Sequence, residues 1–108
     1  MAPRTSVLEP PKKETSPETR EKTRLAPRWK VILHDDPITT FEFVLEVLQS
    51  VFKKSRAEAW RITQEAHTTG SALVTVTSFE EGEFRCEQVR SLARARGFPL
   101  VLTMEPAD

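Results

Sequence analysis

The fold is decided by residues 29–52, WKVILHDDPITTFEFVLEVLQSVF, where a short apolar run gives way to a polar turn and then to a longer apolar segment. The run VIL is short enough for a strand, and from residue 41 the apolar residues recur at helical spacing. Thr39 stands three residues before Glu42, a capping-box spacing that predicts the start of this helix. The turn HDDP therefore places two carboxylates, Asp35 and Asp36, between a strand and a helix.

The predicted helix carries more apolar surface than a one-sided core contact needs. At about 100° per residue, four apolar residues centre one face and three valines continue it around one side. These residues are Phe41, Leu45, Leu48 and Phe52, followed by Val44, Val47 and Val51. Either the helix is buried on most of its circumference, or one flank packs on the core while the other lines an apolar cleft with Asp35 and Asp36 at its rim. The spacing does not decide between the two.

A second helix is predicted between Ser55 and Gly70. Ser55 and Glu58 repeat the capping-box spacing, and a glycine is typical of the position just after a helix. Trp60 is expected to anchor this helix in the core. The predicted inner face consists of Ala59, Ile62 or Thr63, and Ala66.

A third helix is predicted from the capping box of Ser78 and Glu81 as far as Arg96, with Gly97 as its C-cap. Gly82 weakens its first turn by about 1 kcal/mol relative to alanine. The expected buried stripe consists of Phe84, Val89 and Leu92.

Two further strands complete the predicted fold. Residues 72–77, ALVTVT, have strand composition, and Pro99 stands where a proline is tolerated, at the opening of a last strand over residues 100–104. The order β-α-α-β-α-β predicts a small single α+β domain, a three-stranded sheet covered by helices on one face. Fold alone does not identify function.

Residues 1–28 differ in composition from the rest of the chain. They hold five of the eight prolines and only three large aliphatic residues, so we expect a flexible N-terminal extension, followed by one folded domain over residues 29–108. Seven Lys/Arg against four Glu give the extension a positive charge, whereas the folded part is mildly acidic, which argues against nucleic-acid binding. Composition does not decide whether the extension is a passive leader or has a function.

Length and residue usage exclude several classes of protein. At 108 residues the chain has room for one modest core. Cys86 is the only cysteine, so an internal disulfide and a cysteine metal cluster are excluded, as suits a reducing cytoplasm. No apolar run approaches 18 residues, and no apolar signal core opens the chain, so we expect a cytoplasmic protein with no membrane span.

The polar residues of the turn leave a few chemical roles open. His34 and His67 are the only histidines, and with no HxxxH spacing a metal site has little support. Asp35 and Asp36 have the form of a catalytic acid pair, yet no companion nucleophile, Gly-rich loop or metal motif accompanies them. The residues therefore predict neither an enzyme nor a cofactor.

Three ordered segments of the chain resemble the ClpS family. VILHDDPITTFEFVLEVLQ is similar to the family's VLLHNDDYTPMEFVVEVL, the helix end EAHTTG matches its hydrophobic-His-x-x-Gly pattern, and FPLVLTMEPA is similar to HPLLCTMEPA. The resemblance covers about residues 29–107. It implies an adaptor, a monomer without cofactor, that binds substrates with a destabilising N-terminal residue (N-degrons) and delivers them to the N-terminal domain of a Clp AAA+ unfoldase.

The resemblance also implies roles for individual residues. Asp35, Asp36 and His67 fall on the positions that contact the substrate's α-amino group, and Glu80 and Arg85 on the unfoldase-facing surface. Without the resemblance, those last two are simply solvated residues at a helix start. The resemblance further implies that the flexible extension engages the unfoldase. The pocket-lining positions are Thr39, Phe41, Val44, Val47, Thr63, Ala66 and Leu100.

The chemistry of these residue types agrees with an N-degron pocket. Carboxylates accept charge-assisted hydrogen bonds from an ammonium group, each worth about 1.5–3 kcal/mol, and an apolar hole gains about 1.5–3 kcal/mol by burying one large side chain. Asp35 stands where the family has Asn, Pro37 where it has Asp, and Phe41 where Met is common. The alternative is an interaction domain that modulates a Clp unfoldase without recognising N-terminal residues.

Overall fold

The structure, a computed structural model, describes residues 26–108. It is an α+β domain with the element order predicted from the sequence, β-α-α-β-α-β, and three helices pack on one face of a three-stranded sheet. The predicted extension, residues 1–28, lies almost entirely outside the described residues. The elements are β1 (Trp29–His34), α1 (Phe41–Ser50), α2 (Arg56–Thr69), β2 (Ser71–Thr77), α3 (Phe79–Arg96) and β3 (Val101–Pro106).

The sheet is antiparallel in the order β2-β1-β3, so the first strand lies in its centre. Val31 pairs with Met104, and Leu33 with Leu102, and these side chains share the face that the helices cover. On the other face, Leu73 and Val101 stay exposed. A bulge lies opposite Val31–Ile32, where the register with β2 shifts. Because β1 is the central strand, its last residue, His34, lies between the two outer strands at one end of the sheet.

Four of the five helix ends that the sequence predicts are confirmed. Ser55 and Ser78 are N-caps, and their hydroxyls accept hydrogen bonds from the amides three residues later, both at 3.1 Å. Gly70 and Gly97 end α2 and α3 in the left-handed conformation. The N-cap predicted at Thr39 was wrong by one residue. The N-cap of α1 is Thr40, whose hydroxyl accepts a hydrogen bond from the Phe43 amide.

Helix α1 is buried along one side and open on the other. Phe43, absent from the predicted apolar face, is buried, and its ring packs at a tilt against that of Phe98 after α3, with centroids 5.0 Å apart. Phe41 is only half-buried, at the opposite flank. The structure therefore agrees with the second of the two interpretations of this helix, a core-facing side and a cleft-facing flank.

Two predictions about the core were wrong. Trp60 is 48% exposed, because it lies beside the inward face of α2, which is formed by Ala59, Ile62, Thr63 and Ala66. On α3, Phe84 and Leu92 are also exposed, and the buried residues recur one turn apart from Gly82 onward, at 82, 86, 89 and 93. Large side chains were expected inward on α3, but the helix lies too close to the sheet to admit them.

Gly82 shows how close that approach is. A Cβ added there would lie 2.4 Å from Cε of Met104 and 3.3 Å from Val31. The glycine that the sequence marks as a weak point of the helix is therefore the position where helix and sheet meet.

No helix within residues 26–108 is long and apolar enough to cross a membrane.

Candidate functional site

A cavity of about 460 Å³ opens where the central strand ends. Its walls come from the end of β1 and the following turn, the start of α1, the second half of α2 and the residue before β3. It combines apolar side chains with two carboxylates and a histidine. The lining residues are Leu33, His34, Asp35, Asp36, Pro37, Thr39, Phe41, Val44, Thr63, Ala66, His67 and Leu100.

The turn between β1 and α1 is fixed by backbone and side-chain hydrogen bonds. The amide of Asp35 donates to the carbonyl oxygen of Gly70 at 3.0 Å, which ties the turn to the end of α2. The Asp36 carboxylate accepts from the amides of Ile38 (2.8 Å) and Thr39 (2.7 Å) and from the Thr39 hydroxyl (2.7 Å). Asp36 therefore holds the chain in the shape that leads into α1.

These bonds change the acidity of Asp36. Partial burial raises the pKa of this carboxyl group, but the backbone and hydroxyl hydrogen bonds from Thr39 and the amide of Ile38 outweigh it, and the pKa lies below its ordinary value. Asp36 is therefore ionised throughout the neutral range. Three of its roughly four acceptor positions are used within the turn, which leaves one for another donor.

The second carboxylate, Asp35, lies at the rim and takes no part in the hydrogen bonds of the turn that Asp36 accepts. Within residues 26–108 its carboxylate has one nearby basic side chain, His67, whose Nδ1 lies 3.9 Å from Oδ1 of Asp35. Both side chains are exposed. The two acidic residues predicted as one pair are thus different, since the Asp36 carboxylate accepts three hydrogen bonds within the turn and the Asp35 carboxylate accepts none within residues 26–108.

The apolar walls come from α1 and α2. Phe41 and Val44 line one side, and Thr63 and Ala66 the other. The Thr63 hydroxyl donates to the carbonyl oxygen of Ala59 at 2.7 Å, so its one proton is satisfied within the helix. The cavity is therefore a predominantly apolar space with its charges at one end.

The structure gathers most of the predicted site residues in one place. Asp35, Asp36 and His67 meet at the rim, and six of the seven predicted pocket residues line the walls. The seventh, Val47, does not: it is 1% exposed in the core, because it lies one turn further along α1 than Val44. The sequence analysis missed Leu33, His34 and Pro37 as lining residues. All three flank the two carboxylates in the chain, and their place at the end of a predicted strand was the signal that could have identified them.

Glu80 and Arg85 lie elsewhere, on the outer side of α3. Glu80 is exposed in the first helical turn, where a carboxylate suits the helix dipole. Arg85 donates from Nε to the Glu81 carboxylate at 2.7 Å and lies over the ring of Phe84. Neither residue lines the cavity.

The donor set of the cavity is unsuited to a metal ion. In the described part of the chain, no three His, Cys, Asp or Glu side chains are close enough to hold one. Two carboxylates at the rim of an apolar cavity are suited instead to a cation attached to a bulky apolar group.

Comparison with known proteins agrees with this chemistry. The family model of ClpS, the ATP-dependent Clp protease adaptor protein, matches residues 24–103. The chain belongs to the ClpS family. The ClpS of Desulfatibacillum aliphaticivorans is 46% identical over 82% of this chain and 86% of its own length. That of Myxococcus xanthus is 35% identical over 87% and 88%.

A solved structure shares both fold and sequence with this chain. Agrobacterium tumefaciens ClpS2, bound to L-phenylalaninamide, is 38% identical, with a TM-score of 0.72 over 74% of this chain and 96% of that one. ClpS proteins are adaptors of the Clp protease and not enzymes. The predictions of an α+β ClpS fold and of a non-catalytic N-degron adaptor are therefore confirmed.

Proposed function

We propose that the cavity binds the first residue of N-degron substrates, with the side chain between α1 and α2 and the α-ammonium group at the rim. The observation that carries this proposal is the juxtaposition of two carboxylates, Asp35 and Asp36, with an apolar cavity of about 460 Å³. The α-amino group of a peptide has a pKa near 8 and is largely protonated at neutral pH. A cation adjoining a large apolar side chain is the N-terminal residue of a polypeptide.

The ligand of the related ClpS2 supports the same assignment. L-phenylalaninamide, to which the A. tumefaciens protein is bound, combines a free α-amine with a benzyl side chain. A first residue of this kind would place its amine at the charged end of our cavity and its ring between Phe41 and Thr63. Both halves of such a ligand therefore have a matching surface in this chain.

The three rim residues contribute differently in this proposal. Asp35 supplies most of the acceptors for the ammonium group, because its carboxylate accepts no hydrogen bond within residues 26–108 and its nearest basic group, Nδ1 of His67, lies 3.9 Å away. Asp36 adds its one remaining acceptor and orients the turn. His67, at the end of α2, completes the rim opposite the turn.

The delivery surface is the second part of the proposal. Glu80 and Arg85 are placed on the exposed side of α3, away from the cavity walls, so a bound substrate and the N-terminal domain of a Clp unfoldase have separate surfaces. The exchange Glu80→Lys with Arg85→Glu should abolish delivery while peptide affinity is retained. We propose that the adaptor acts in the cytoplasm as a monomer, and that the extension, residues 1–28, takes part in the hand-over.

A panel of peptides that differ only in the first residue tests the recognition step. We expect Phe, Tyr and Trp to bind at least as well as Leu, because the small Thr63 and Ala66 leave room for a ring. Ile and Val should bind much more weakly, since branching at Cβ adds bulk beside Phe41. Fluorescence anisotropy of labelled peptides gives the dissociation constants. Equal affinity for every first residue would favour the alternative, a domain that modulates the unfoldase without recognising N-terminal residues.

A truncated chain tests the hand-over. A chain that begins at residue 26 keeps the hydrogen bond from the Ala107 amide to the Arg28 carbonyl oxygen (2.8 Å), so the contact between the two ends of the folded domain is retained. It should bind peptides with unchanged affinity and fail to accelerate their degradation by the partner protease. Full delivery by this truncation would show that the extension is passive.

A further inference from the structure

The half-exposed Trp60 lies in contact with a residue of the cavity wall. Its ring meets that of Phe41 edge to face, with centroids 5.9 Å apart and planes inclined by 67°. Trp60 does not line the cavity, whereas Phe41 does. The ring of Phe41 therefore contacts the cavity and Trp60 at once.

The position of Trp60 on α2 follows the cavity-facing stripe. Trp60, Thr63 and His67 stand at i, i+3 and i+7, so they lie along one side of the helix, with His67 at the charged rim and Thr63 in the apolar wall. Trp60 continues this line beyond the wall, at the place where Phe41 from α1 closes it. The contact thus joins the two helices that bound the cavity.

Phe41 needs such a contact for a reason that follows from its place in α1. It is the first residue of the helix, after the N-cap Thr40. Helical side chains normally pack back on the preceding turn, and at the first position no preceding turn exists. Without a neighbour from another element, the ring of Phe41 is free to change rotamer, and the neighbour that the structure supplies is Trp60.

We propose that Trp60 is a positioning residue, which holds the Phe41 ring at the cavity entrance and thereby sets the selectivity for the first residue of the substrate. The inference rests on the proposed function of the cavity. Trp60 contributes no contact to the ligand itself and acts through Phe41. Its removal changes the choice between first residues without touching the carboxylates that bind the ammonium group.

The test compares Val-first with Phe-first peptides, as the ratio of their dissociation constants, in Trp60→Ala, Trp60→Phe and the unaltered protein. Loss of the aromatic pair frees the Phe41 ring, so in Trp60→Ala the ratio should fall by about two- to tenfold. Trp60→Phe keeps an aromatic edge against Phe41 and should retain most of the selectivity. Leu92→Ala is the matched control, because Leu92 is a similarly exposed helical residue (45%) outside this cavity, and its ratio should not change.

A double variant separates positioning from a general effect on stability. Trp60 acts through Phe41, so in a Phe41→Ala background the Trp60→Ala change should leave the ratio unaltered, while each single change lowers it. If the unaltered protein is selective and Trp60→Ala keeps its whole selectivity, the inference is wrong and the proposed function stands. If the unaltered protein binds Val-first and Phe-first peptides equally, the proposed function fails, and the inference fails with it.

Discussion

Helices α2 and α3 both turn small residues toward the interior, with opposite results. On α3, Gly82 and Ala93 let the helix approach until the sheet fills the space, and a single added Cβ at Gly82 would lie 2.4 Å from Met104. On α2, Thr63 and Ala66 border a cavity of about 460 Å³ instead. Small side chains therefore do not by themselves create a cavity.

The difference lies in what fixes the backbone around each helix. Helix α3 packs directly on all three strands, with nothing between to keep them apart. The cavity beside α2 is bounded by the β1–α1 turn, which Asp36 holds through three hydrogen bonds and which the Asp35 amide ties to Gly70. Small residues leave a cavity only where hydrogen bonds prevent the neighbouring element from moving in.

The largest effect is expected from filling the cavity. Ala66→Leu places a larger side chain in the space that the first residue of a substrate would occupy. The peptide then loses the burial of its side chain, about 1.5–3 kcal/mol, so Phe-first peptides should bind roughly ten- to hundredfold more weakly in anisotropy titrations. The free energy of unfolding should hardly change, because the cavity can accept the side chain.

If Ala66→Leu lowered the free energy of unfolding as much as an insertion into a packed core does, the expected difference between α2 and α3 would be contradicted. It would mean that Ala66, which is 2% exposed, is closely packed in solution and that the cavity does not extend to it.

A leucine introduced on α3 should instead reduce stability and leave peptide affinity unchanged. Gly82→Leu inserts a side chain where a Cβ already meets Met104 and Val31, so it should lower the free energy of unfolding by about 1–3 kcal/mol, measured by urea denaturation. Peptide affinity of the folded protein should be unchanged, because Gly82 does not line the cavity. Gly82→Ala is the graded control: Met104 is flexible, and the gain in helix propensity of about 1 kcal/mol opposes the clash. An unaltered stability of Gly82→Leu would show that α3 and the sheet are less closely packed than described.

The smallest effect concerns the turn that keeps the cavity open. Asp36 has a lowered pKa in the folded protein, so its contribution to stability is complete above its ordinary pKa and is lost as the pH falls through the folded value. Asp36→Asn should therefore be less stable than the unaltered protein by about 1 kcal/mol at pH 7, with the difference shrinking in acid. Unfolding curves between pH 7 and pH 2 measure it.

Asp35→Asn is the matched control for this prediction. Within residues 26–108 its carboxylate meets only His67, at 3.9 Å and in solvent. Its stability should follow that of the unaltered protein across the pH range. A difference between Asp36→Asn and the unaltered protein that is the same at pH 2 as at pH 7 would show that the turn does not depend on the charge of Asp36.

The fold was predictable because its signals are local. Ser55, Ser78, Gly70 and Gly97 each carry a cap that depends on a few neighbouring residues, and the structure has all four. The exposure of Trp60 was not predictable, because it depends on which side of α2 packs inward. The long-range packing of each helix decides which of its apolar residues turn inward.

The candidate site was predictable in its members and not in their roles. The chain order of strand, turn and helix places Asp35 and Asp36 together at a strand end, and helical spacing brings Thr63, Ala66 and His67 to one side of α2. Which carboxylate accepts the hydrogen bonds of the turn depends on where the Ile38 and Thr39 amides point, and no residue pattern specifies that.

Binding of a free α-ammonium group at the charged rim is tested most directly by one pair of titrations. A Phe-first peptide and the same peptide acetylated at its N-terminus differ only in that charge, so their apolar contacts in the cavity are matched. We expect acetylation to weaken binding by at least tenfold, since it removes one or more charge-assisted hydrogen bonds of about 1.5–3 kcal/mol each. Equal affinities for the two peptides would contradict it.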